Sequence, residues 1–110
     1  MVTQLQNCKN NPKEWGNEII WAEGKNYLGK YFMIAPGKRI DSSSTNKKEK
    51  TIFVMLGELV VWKSEDQNDF IVLKQNDVCH LNSNQFYGLG CTSESQYPAI
   101  LMEISDQKED

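Results

Sequence analysis

The chain has 110 residues, 39% hydrophobic and 25% charged, the composition of one ordinary globular domain with no room for a second. Twelve Lys and Arg against fifteen Asp and Glu give a net charge of -3 and an isoelectric point near 5.1. Nucleic acid and acidic membrane surfaces are therefore not expected as partners, because no general attraction to a polyanion exists.

No run approaches the ~20 apolar residues of a membrane span, and the N-terminus MVTQLQNCKNNPKEW lacks the apolar core of a signal peptide. The expectation is a cytoplasmic protein. Its three cysteines, Cys8, Cys79 and Cys91, are odd in number and lack CxxC spacing. That argues against a disulfide framework and against a structural zinc site.

Taken in chain order, residues 1–14 read as a polar N-terminal arm, frayed unless it pairs with a partner, and residues 15–105 as the folded domain. Short runs of β-branched and aromatic residues then alternate with polar turns, with almost no helical periodicity. Candidate strands are Glu18 to Ala22, Tyr27 to Ile34, Arg39 to Ser43, Thr51 to Met55, Glu58 to Lys63, Phe70 to Leu73, Val78 to Leu81, Gln85 to Leu89 and Ala99 to Ile104. Pro36-Gly37, Leu56-Gly57, Gln75-Asn76-Asp77 and the stretch from Thr92 to Pro98 are among the breakers. Lys47, Lys48 and Lys50 form the one basic cluster, interrupted by Glu49, and read as a solvated turn. The end of the chain, residues 106–110, reads as a disordered tail.

Short strands with turns about every 8–12 residues predict an all-β sandwich or closed barrel. Runs such as IFVM and LVVW are apolar on both faces, so one sheet face is expected to pack on something outside the barrel. A homodimer is the natural candidate.

Gly37, Ser43, Thr45, Lys50 and Gly57 fall at the spacing of the first cupin motif, and Asn76, Asn82, Asn84, Tyr87 and Cys91 at that of the second. The surrounding text, WGNEIIWAEGKNYLGKYFMIAPGKRI and then NKKEKTIFVMLGELVVW, resembles small cupins related to mannose-6-phosphate isomerase. The resemblance runs from about Trp15 to Ser105. It implies a single cupin barrel, a double-stranded β-helix of the jelly-roll type.

Cupins of this kind usually hold a metal through imidazoles and a carboxylate. The resemblance puts Ser43, Thr45, Lys50 and Tyr87 at those positions, and the chain has a single histidine, His80. Two hydroxyls, an ammonium and a phenol do not make a transition-metal site, so no metal and no other cofactor is expected.

On the same resemblance, strand alternation aims Ser43, Thr45, Lys50 and Tyr87 into the barrel mouth. A buried Lys50 must lose its charge, bind an anion, or pair with an internal carboxylate such as Glu103 or Asp41. The expected function is a noncatalytic binding or structural module for a small polar or anionic ligand such as a sugar phosphate. The alternatives are a metal-independent isomerase or epimerase acting on a sugar or nucleotide sugar, with Lys50, Tyr87 and His80 as acid-base groups, and a metal-dependent sugar-phosphate isomerase with atypical ligands. His80 itself reads as a structural histidine. Trp15, Trp21, Phe32, Phe53, Trp62 and Phe86 read mainly as core or dimer packing, with a sugar-stacking wall as the alternative.

Overall fold

The computed structural model describes residues 2–42 and 48–106, with the side chain of Ser42 excluded. After a 3-10 turn at Leu5–Asn7, ten strands follow: β1 (Lys9–Lys13), β2 (Gly16–Glu23), β3 (Tyr27–Ile34), β4 (Arg39–Ser42), β5 (Lys50–Leu56), β6 (Leu59–Trp62), β7 (Phe70–Leu73), β8 (Val78–Leu81), β9 (Tyr87–Gly90) and β10 (Ala99–Asp106). They form a sheet of order β1-β2-β3-β10-β5-β8 facing a second of order β4-β9-β6-β7, with every pairing antiparallel.

Alternation along the strands builds the core between the two sheets. In β10, Ala99, Leu101, Glu103 and Ser105 are buried while Ile100, Met102 and Ile104 point outward. Across the register Leu101 lies beside Phe32 on one side and Val54 on the other. Ile34, Ile52, Leu59, Val61 and Leu89 complete a wholly apolar centre, capped by the edge-on contact of Trp15 with Phe32 at 5.6 Å between ring centres. Most of the fold's stability comes from this burial.

Two boundaries differ from the sequence expectation in ways that matter. The arm is not loose throughout: Lys9–Lys13 pairs with β2 from Lys9↔Ile20 to Lys13↔Gly16, because β2 offers an open edge and the arm supplies backbone donors for it. Lys50 belongs to β5 rather than preceding it, and so faces inward with Ile52 and Val54. Among the described residues no helix is long and apolar enough to cross a membrane.

Candidate functional site

Two antiparallel neighbours set the interior polar group. Lys50 opposes Ser105 and Ile52 opposes Glu103, which makes Lys50 and Glu103 a diagonal pair on the inner face. Lys50 Nζ stands 3.2 Å from Glu103 Oε1, with side-chain exposures of 16% and 2%. Tyr87, at the start of β9 in the opposite sheet, brings its ring to within 5.4 Å of the same ammonium.

Burial works against the charge on Lys50. The Glu103 carboxylate, together with a hydrogen bond to Tyr87, more than offsets it and holds the ammonium above its ordinary value of 10.5. Lys50 is thus a protonated, internally neutralised cation at neutral pH.

Of the residues singled out from sequence, Lys50, Tyr87 and Glu103 come together. Asp41 does not join them, because its position in β4 faces outward: it accepts from Arg39 Nε at 2.6 Å in a separate groove beside Phe86. Arg39 in turn lies over Trp62 at 4.1 Å from the ring centre. Ser43 and Thr45 lie outside the described residues.

His80 is on the outer face of β8, opposite Thr51. Its Nδ1 is 3.1 Å from Thr51 Oγ1 and its Nε2 is 3.0 Å from Glu49 Oε1. Asp77, three residues before His80, instead accepts from the backbone N–H of Lys74 at 2.7 Å and closes the β7–β8 turn. The Glu49–His80–Thr51 group escaped sequence reasoning because only strand pairing joins residues so far apart in the chain.

Sequence reasoning also missed a cavity of ≈ 240 Å³ at the open side between the edge strands β7 and β8. Ile71, Leu81, Phe86 and Tyr87 form its walls, with Trp62 and Cys79 beside them and Lys63 near its mouth. Burial raises the pKa of the Cys79 thiol, with Lys63 pulling the other way, so the thiol stays protonated at neutral pH. Among the described residues no group of three or more His, Cys, Asp or Glu is placed to hold a metal ion.

No family model matches the sequence, and no curated protein does. Solved structures do. The polyketide cyclase RemF from Streptomyces resistomycificus superposes with a TM-score of 0.80 at 9% identity, over 98% of this chain and 80% of that one. KdgF from a Halomonas species gives 0.75 at 10% identity, over 96% and 93%. An RmlC-like cupin from Shewanella frigidimarina gives 0.76 at 12% identity, over 98% and 91%. At identities this low the likeness speaks for architecture alone, and it agrees with the two facing antiparallel sheets: the chain has the cupin fold, a double-stranded β-helix.

Proposed function

We propose that the protein is a metal-free cupin that binds a small molecule without transforming it, and that it works as a homodimer in the cytoplasm. The carrying observation is the Lys50–Glu103 pair inside the barrel. An ammonium there repels a divalent cation, and the interior carboxylate that would attract one is already engaged. Among the described residues, Lys50, Tyr87 and Glu103 do not fit a metal. The finer likeness to mannose-6-phosphate isomerase-like cupins rests on the sequence motifs alone.

The same pair speaks against the isomerase and epimerase readings. A lysine whose pKa is raised keeps its proton at neutral pH, and so serves neither as a general base nor as a free amine. A sugar phosphate on Lys50 would have to displace Glu103 and leave a buried carboxylate unpaired, which costs several kcal/mol. Interior pairing therefore favours a binding module whose ligand lies elsewhere.

The partner copy suits the outer face of the larger sheet. Tyr31, Met102, Phe53 and Val78 are aligned in register across four strands, with Trp21 and Ile104 beside them. Phe53 is 38% exposed, Ile104 44% and Val78 64%, so bulky apolar side chains stand together in water on this face, the kind of surface a partner covers.

Metal analysis of protein purified without chelator tests the reading. Trace metal and no sugar-phosphate turnover are expected. More than about half an equivalent of iron, manganese, nickel or zinc per chain, lost together with thermal stability on chelation, overturns it.

A further inference from the structure

Resting on the binding reading above, we propose that the cavity between β7 and β8 is a site for a small aromatic carboxylate, its ring seated among Ile71, Phe86 and Tyr87 and its carboxylate on Lys63.

Volume sets the size class. A dry cavity of about 150 Å³ accepts a benzene ring, and this one measures ≈ 240 Å³. It therefore takes one ring with a short substituent. Aromatic walls favour a ring over an aliphatic chain, since Phe86 and Tyr87 offer both apolar area and stacking partners.

Charge sets the head group. The Lys50–Glu103 pair is neutral and is not part of the cavity lining. His80 borders the cavity, but both its ring nitrogens are engaged, by Thr51 and Glu49. Among the described residues Lys63 has no ion-pair partner, and its charge is felt at Cys79. One available ammonium at the mouth of an apolar cavity matches a monoanion better than a phosphate dianion, which calls for several donors.

The probe is benzoate, with benzyl alcohol as its neutral counterpart, titrated into the full chain by calorimetry and NMR. Benzoate should bind at least about tenfold more tightly than benzyl alcohol, the scale of one charge-assisted contact. Lys63→Gln should remove that preference and leave benzyl alcohol unchanged. Ile71→Trp, which fills the cavity, should abolish both.

Wild-type protein supplies a readout that needs no variant. Benzoate should slow alkylation of Cys79 by iodoacetamide in proportion to occupancy while leaving the distant Cys8 unaffected, each followed by peptide mass spectrometry. Absence of benzoate binding, equal affinity for the two probes, or unchanged Cys79 labelling at saturation overturns the proposal. Such a failure leaves the binding reading standing if the protein remains metal-poor and without turnover, whereas stoichiometric metal sinks that reading whatever happens at Cys79.

Discussion

Lys50 and Glu103 lie on adjacent strands, two residues apart along the register, and their side chains meet inside the barrel at 3.2 Å. Glu103 is 2% exposed, so its charge depends on a partner that water does not replace. A pair of this kind is worth little against apolar residues of the same volume, yet breaking it from one side is expensive.

The prediction is strong non-additivity. Lys50→Met leaves an unpaired buried carboxylate and should destabilise by about 3–5 kcal/mol, and Glu103→Leu should cost a similar amount. The double variant should return to within about 1 kcal/mol of wild type. Urea unfolding of the four proteins measures this cycle. Additive losses in the double variant would show that the two side chains do not act as a pair.

The raised pKa of Lys50 also fixes a direction with pH. The folded chain holds this proton more tightly than the unfolded chain, so the stabilisation is complete below the ordinary value of 10.5 and fades as pH climbs past it through the folded value. Wild type should lose more stability than Lys50→Met between about pH 10 and pH 12, followed by urea midpoint. Parallel losses in the two proteins would contradict it.

The barrel was legible because the information that defines it is local. Tyr27–Ile34, Phe70–Leu73 and Val78–Leu81 stand where the alternating apolar runs put them. β1 was not legible, since KNNPK carries no apolar pattern and forms a strand only because the edge of β2 is there to pair with. Within the site, Lys50, Tyr87 and Glu103 could be chosen as candidates from residue type and motif spacing. Which carboxylate served Lys50 could not: Asp41 and Glu103 look alike in sequence, and strand parity alone sends one outward to Arg39 and the other inward. The cavity beside Phe86 arises where two edge strands from different sheets approach without pairing, a feature no local pattern encodes.

Two turn glycines should separate backbone strain from steric conflict. Gly37 and Gly57 have φ of 80° and 78°, which an L side chain seldom adopts. A Cβ on Gly37 would meet Ser93 alone, its Cβ at 3.5 Å and its Cα at 3.8 Å, ordinary contacts, whereas on Gly57 it would press to 2.9 Å from the carbonyl oxygen of Pro98. Gly37→Ala should therefore cost about 1 kcal/mol from the dihedral alone, and Gly57→Ala distinctly more, about 2–3 kcal/mol. Thermal melts would decide it, at roughly 4–8 °C per kcal/mol, and an equal effect at both positions would rule out the contact with Pro98.

The outer face of the larger sheet gives the last prediction. Phe53 and Ile104 sit on adjacent strands β5 and β10, both pointing away from the core, so charging them leaves the interior residues Ile52, Val54, Leu101 and Glu103 in place. If a second copy covers this face, Phe53→Glu combined with Ile104→Glu puts two like, unpaired charges into an apolar interface, while each monomer keeps its fold. Light scattering after gel filtration should then report one chain of 12.7 kDa for the variant and twice that for wild type. Circular dichroism must be unchanged for the comparison to count. A wild type already at single-chain mass would leave the exposed strip without a second copy and remove the dimer from the proposal, because at micromolar concentration a stable interface built on bulky apolar residues such as these does not dissociate.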